Sequence, residues 1–400
     1  MPEYIGTGEI LLLSITRFWP TWLAIAICLV AGWPMRERLG VFGRLYGSPI
    51  GISGLILVLF WVFTAVFADQ IAVIGPLEQS FAPGMKKGLP GITDTESGII
   101  FLWGGDNLAR DIFSRVVHGS RIVLIVAPAA TLIAYMVGST LGLPAGYFQG
   151  WSDTISSFLA NLILAFPIIL LFYLLVTPEV NTPVIHNILG LQVPWSIPIG
   201  MAALFFLFPI IFLCTMWFTK YENNKQKLTI YLAVTLVLGL WIYSGLVFNS
   251  DPLGVLGMEP NELNVFAAVI LGSSPGVFRI VRGLTMDIMT RDYVAAAQTR
   301  GERPWYIMLW EILPNARGPL IVDFCLRIGY TTILLGTLGF FGLGLQPESA
   351  DWGSMINHGR PFVRLANTAH LALFPAMALM SLVLGLNLLA DGLREESLKD

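Results

Sequence analysis

The sequence predicts an all-α membrane protein with about nine spans, and three observations carry that prediction. The 400 residues are 55% hydrophobic and only 12% charged, whereas soluble domains carry about 25% charged residues. The apolar residues gather into runs of about 20, the length that crosses a bilayer. Lysine and arginine collect in alternate loops, the pattern of a chain threaded back and forth through a membrane. Mean hydropathy is +0.72.

The N-terminus carries Glu3 and Glu9 where a secretory signal has basic residues, and no small-residue cleavage site follows. The first apolar run is therefore expected to stay in the protein. The expected spans are Leu11–Ala31, Gly51–Ala68, Ile122–Gly142, Phe158–Val176, Ile197–Phe218, Leu228–Phe248, Asn264–Val281, Pro319–Leu343 and Leu371–Ala390. Arg17 and Pro20 weaken the first; Ser273, Ser274, Pro275 and Arg279 weaken the seventh. Losing one would leave eight.

Three loops carry the positive charge: Arg36, Arg38 and Arg44; then Lys220, Lys225 and Lys227; then Arg291, Arg300 and Arg303. With nine spans they fall on one side together with the C-terminus, and that side is read as cytoplasmic. The opposite loops, 177–196 and 249–263, hold Glu179, Asp251, Glu259 and Glu262 and no Lys or Arg. The reading divides the chain into an N-terminal part (1–70), an extracytoplasmic segment with an amphipathic helix (71–121) and a core (122–400). No internal repeat stands out.

The most informative stretch is 292–315, DYVAAAQTRGERPWYIMLWEILPN. Ala295, Ala296, Ala297 and Gln298 favour or tolerate a helix over 292–300. Gly301 can turn the chain through positive φ. Pro304 suits the first turn of a second helix, which Leu313-Pro314 is expected to end. A rigid helix–turn–helix at the membrane surface transmits a push, and its small residues permit close approach by a partner.

These residues resemble the EAA loop of binding-protein-dependent ABC importer permeases, at Ala296, Ala297, Gly301, Leu313, Pro314 and Asn315. Ala295 stands where that family has Glu, and Glu311 where His is common. Residues 104–115, GGDNLARDIFSR, look like the segment preceding the core of the dipeptide/oligopeptide/nickel group, C-type subunit. Ala145-Gly146-Tyr147-Phe148, Ala165-Phe166-Pro167, residues 340–347, Asp351–Met355 and Leu388–Arg394 match further landmarks in order. The resemblance covers roughly 101–176 and 265–399. Two parts depart from it: the first span, and an insertion near 178–263 with two apolar runs, read as a lipid-facing addition at the rim.

The resemblance implies a type I ABC importer (MetI-like) transmembrane domain in the bacterial inner membrane. It implies a homologous permease partner, two ABC ATPase subunits and an extracytoplasmic solute-binding protein. The cargo implied is di- or oligopeptides, with nickel chelates or opines as the alternative. ATP and Mg would sit on the ATPase subunits, since no G-x-x-x-x-G-K-[ST] cradle occurs here. Arg300, Arg303 and Glu311 are expected at the ATPase contact, with Ala296, Ala297 and Gly301 allowing close seating and Pro304 and Pro314 setting the ends. From another class, an ATP-independent transporter would predict an inverted repeat or a selectivity ring.

Outside the loop, Asp106 is expected to cap a surface helix reaching Val117, braced by Asp106/Arg110 and Asp111/Arg115 pairs. That helix and Trp352, a residue suited to the interface, are placed on the outer surface. Asp323 and Arg327, four apart in a span, read as an internal ion pair or a pathway contact. Cys28, Cys214 and Cys325 lie in apolar runs and are read as buried fillers. His118, His186, His358 and His370 have no ligand spacing. No catalytic set, metal site or basic face for nucleic acid is read.

Overall fold

A computed structural model describes residues 3–38, 40–176, 197–248, 260–343, 349–365 and 367–397. Among the described residues, seven helices are long and apolar enough to cross a membrane. Two bent pairs raise the number to nine if each is one span: Thr7–Arg17 with Trp19–Gly32, bent by 50°, and Gly150–Ala165 with Ile168–Val176, bent by 88°. The straight span expected over Phe158–Val176 is thus replaced by a sharp break. Phe166 is extended (φ −85°, ψ 135°) because the ring of Pro167 disfavours helical backbone in the residue before it. The first expected span breaks at Phe18 (φ −79°, ψ 14°), and Pro20 sits in the first turn of the half-helix that follows.

The chain forms two compact units, Met1–Pro128 with Val322–Asp400, and Ala129–Ile321. In the first, the Pro49–Val66 helix lies along His370–Ser397. Ser48 caps the former by accepting from Gly51 N–H (3.2 Å), and Pro49 occupies its first turn. Small residues bring the two backbones together: a Cβ on Gly51 would meet the Gly392 Cα at 3.3 Å, and one on Gly385 would meet Leu57 Cβ at 2.7 Å. Such close approach is what helix packing inside a membrane uses, since lipid removes the hydrophobic drive between helices. Trp61 adds a hydrogen bond to Ser381 Oγ (2.9 Å).

The segment before the long helix Ile112–Phe148 folds as a cap with an antiparallel sheet of Glu3–Tyr4, Ile92–Thr93 and Ile100–Phe101. Its core is aromatic: Phe113 meets Phe18 at 5.5 Å and Trp103 at 4.9 Å, both edge-on. None of the sheet was anticipated, because two-residue strands leave no alternation to read.

In the second unit, Gly138, Gly142 and Gly146 form a stripe at i, i+4 on the Ile112–Phe148 helix. It seats Val277, Val281 and Thr285 of Pro260–Ile288. The insertion is a hairpin of Ile197–Tyr221 and Lys225–Phe248. Its second helix is apolar all round and only 11% of its most apolar stretch is buried, as expected of a lipid-facing rod. Its first helix packs on Pro260–Ile288.

Candidate functional site

The elbow at 292–315 is built as a helix, a glycine turn and a second helix. The first helix is Asp292–Thr299, with Asp292 placed where the helix dipole favours a negative charge. It closes in a two-bond glycine cap: Gly301 N–H donates to Gln298 O (2.9 Å) and Glu302 N–H to Ala297 O (3.2 Å), with Gly301 at φ +79°. Arg303 is extended, Pro304 starts the second helix, and helical backbone then runs to Asn315.

The second helix thus ends at Asn315, one residue past the Leu313-Pro314 pair at which the sequence reading placed its end. Residues Ile307–Ile312 widen into a π-turn. The ring of Pro314 would clash with the carbonyl four residues back, that of Trp310, in a regular α-helix. The wider turn gives that ring room, and π-turns of this kind recur at functional sites.

The elbow is seated on an apolar core. Val294, Ala297, Ile307, Met308, Leu309 and Ile312 are buried against Leu143, Val277, Val281 and Leu320. At about 1.5–3 kcal/mol for each large side chain, five of them contribute on the order of 10 kcal/mol, an upper figure. Tyr147 accepts a hydrogen bond from Gln298 Nε2 (3.3 Å). Ala297 is completely buried within the chain, so it cannot seat a partner as the sequence reading had it. Ala296 and Gly301 are exposed, as are Arg300, Arg303, Pro304, Trp305 and Pro314.

The three charged residues expected to reach outward already have partners. Arg300 meets Glu311 at 3.1 Å, and Arg303 meets Glu222 of the inserted hairpin at 2.6 Å. Both arginines are more than half exposed, so each pair contributes about 0–1 kcal/mol and the apolar seat dominates. Sequence reasoning missed the hairpin's part altogether. Thr219 Oγ1 accepts from the Trp310 indole (3.0 Å), and Phe212 and Met216 pack against the elbow's core. The only hint was the lysine pair flanking Glu222.

The second group of predicted residues is buried rather than displayed. Asp106, Arg110, Asp111, Arg115 and Trp352 are all at most 9% exposed. Asp106 does not cap the helix. It closes a turn by accepting from Leu108 N–H (2.7 Å) and Arg110 N–H (2.9 Å), and pairs with Arg110 (2.7 Å). Asp111 is the cap of Ile112–Phe148, accepting from Ser114 N–H and Oγ at 2.9 and 2.6 Å. The expected Asp111/Arg115 pair gives way to Arg115 donating to Pro76 O (2.8 Å) and Ser349 O (2.7 Å). Burial pushes the Asp111 carboxyl up to about 6, against the hydrogen bonds from Ser114. Trp352 is no interfacial anchor: it is fully buried and donates to Val116 O (2.9 Å). Asp351 caps its helix, Trp352–Gly359, through Gly353 and Ser354. The landmark at 344–347 lies outside the described residues, as do most of the loops 177–196 and 249–263 and His186.

Asp323 and Arg327 form an ion pair at 2.5 Å with both side chains under 20% exposed. Cys28 is exposed rather than buried, Cys214 intermediate and Cys325 buried. Among the described residues no cluster of His, Cys, Asp or Glu is placed to hold a metal.

Comparison with known proteins agrees with this architecture. The profile of a family described as the binding-protein-dependent transport system inner membrane component matches residues 138–395. The glutathione transport system permease protein of Pectobacterium atrosepticum is 31% identical over 292 residues, 73% of this chain and 70% of that protein. The dipeptide transport system permease protein of Haemophilus influenzae is 27% identical over 362 residues, 90% of this chain and 93% of that protein. The corresponding dipeptide protein of Alkalihalophilus pseudofirmus is 26% identical, over 90% and 88%.

Proposed function

This chain belongs to the family of binding-protein-dependent transport inner membrane components, as a multi-pass permease subunit of the peptide-importer type, and we propose that its 292–315 elbow is the seat of a separate ATPase. The observation that carries the reading is a rigid elbow with a bare outer face. The glycine cap and the apolar core fix its shape, while Tyr293, Ala296, Arg300, Gly301 and Trp305 remain uncovered. A partner pressing there moves the elbow and its attached spans as one body.

In the full assembly, this subunit pairs with a homologous permease, two ATPase subunits that hold ATP and Mg, and an extracytoplasmic binding protein that delivers cargo. The basic loops, the elbow and the C-terminus face the cytoplasm, following the distribution of Lys and Arg. The cargo is a short peptide, with dipeptides and glutathione the first to test given the relatives' names.

The test combines topology with transport. In a variant without its native cysteines, Thr299→Cys should react with a membrane-impermeant maleimide only from the cytoplasmic face. Co-expressed ATPase and binding-protein subunits should confer ATP-dependent dipeptide or tripeptide uptake. Labelling from outside, or uptake that ignores ATP, would overturn the proposal; uptake of a nickel chelate or an opine instead of peptides would replace the cargo.

A further inference from the structure

We propose that the inserted hairpin is a brace that positions the coupling elbow, with Thr219, Lys220 and Glu222 as its positioning residues. This rests on the elbow being the ATPase seat, and adds to that reading a device that sets how tightly ATPase movement is converted into transport.

Three different contacts converge on the C-terminal end of the hairpin's first helix, Ile197–Tyr221, and the residue that follows it. The Trp310 indole donates to Thr219 Oγ1 at 3.0 Å. That oxygen in turn donates to the Thr215 and Met216 carbonyls, both at 3.0 Å, so it is held in place to accept. The Lys220 ammonium lies 4.8 Å from the centre of the Trp310 ring, within cation–π range. Glu222 Oε1 meets Arg303 Nη1 at 2.6 Å. The contacts grip the elbow at two places: Arg303 just before its second helix, and Trp310 inside the π-turn.

The hairpin is shaped to serve as a separate strut. Its turn is short and fixed, with Asn224 Oδ1 accepting from Lys227 N–H (3.1 Å). Trp217, Tyr221 and Tyr231 stack across it, Tyr221 on Tyr231 at 4.9 Å and Trp217 on Tyr231 at 4.8 Å. Beside the grip a cleft of about 520 Å³, lined by Phe218, Leu232, Arg303, Trp305 and Tyr306, separates hairpin from elbow. The brace therefore touches the elbow through a few polar points and the Phe212/Met216 contact, an arrangement that can let go without unfolding either part. An insertion serving only to face lipid has no need to place an acceptor, a cation and a carboxylate at its inner end.

The test compares Glu222→Arg, Arg303→Glu, the double reversal, and Trp310→Phe, which keeps the ring but removes the donor. Two readouts are taken: ATP hydrolysed per peptide transported in the reconstituted complex, and amide hydrogen exchange of 292–312 in the purified chain. Each single variant should raise exchange across the elbow by about three-fold, the weight of one partly exposed ion pair or hydrogen bond. Each should also raise the ATP cost per peptide, and the double reversal should bring both back near wild type. Unchanged exchange in Glu222→Arg and Trp310→Phe would overturn the brace. Failure of the double reversal to rescue transport would also overturn it, and would assign Arg303 to the ATPase contact. A wild-type complex with no ATP-linked uptake would refute the importer seat alone, leaving the brace to be decided by exchange.

Discussion

Replacing Gly301 by Val and by Asn isolates backbone strain as the quantity that holds the elbow. Gly301 sits at φ +79°, and a Cβ built there meets nothing within 4 Å. A clash inside the chain is thereby removed from the comparison, and the cost is conformational. An L-residue in left-handed backbone costs about 1–2 kcal/mol, with a β-branched residue at the upper end and Asn tolerated. That amount shifts the population of the correctly capped elbow by a factor of about 5–30. Gly301→Val should therefore raise hydrogen exchange at Gln298–Glu302 and lower ATP-driven uptake by a similar factor, while Gly301→Asn stays close to wild type. Equal loss in both variants would refute this reasoning, because strain separates Val from Asn and crowding against a partner does not. No loss in either would show that the turn does not limit the elbow.

Other perturbations follow from the packing and the buried charges. Gly138→Val should destabilise by about 1–3 kcal/mol through overpacking, since its Cβ would lie 2.6 Å from Val277 Cγ1; Gly283→Ala, with open space around it, should leave thermal unfolding in detergent unchanged. The Asp111 carboxyl, raised by burial to about 6 from about 3.9 in the unfolded chain, favours the fold most below pH ~4, and that contribution is lost as pH rises through ~6. Asp111→Asn keeps a capping side chain and should flatten the pH dependence of the unfolding temperature between those values; an unchanged slope would count against a buried, raised carboxyl. Neutralising Asp323 or Arg327 alone should destabilise by up to about 3 kcal/mol by stranding the other charge, and exchanging the two should recover most of it in the same thermal assay.

The comparison of sequence with structure turns on the range of the interactions involved. The spans, the elbow's glycine and the start of its second helix were legible in order because each is a local property: runs of apolar residues, a residue free to take positive φ, a proline in a first turn. Pro167 was visible too, but the 88° break it allows depends on what the two half-helices pack against. Asp106 and Asp111 show the same limit. Both are good caps, and only the fold of the preceding segment decided that Asp106 closes a turn and Asp111 starts the helix. Trp352 reads as interfacial by type, yet its indole finds a carbonyl 236 positions away.

The amino-acid order on its own determined that this chain is built of bilayer-length apolar runs and where its glycine-turned elbow at 292–315 lies, because hydrophobic run length and glycine freedom need no distant partner. Only the tertiary structure decided which elbow side chains face inward, that Ala297 is core while Ala296 is surface, and that an inserted hairpin contacts Arg303 and Trp310 from about 80 and about 90 positions earlier. Those choices are made by contacts between segments remote in the chain, and no local pattern encodes them.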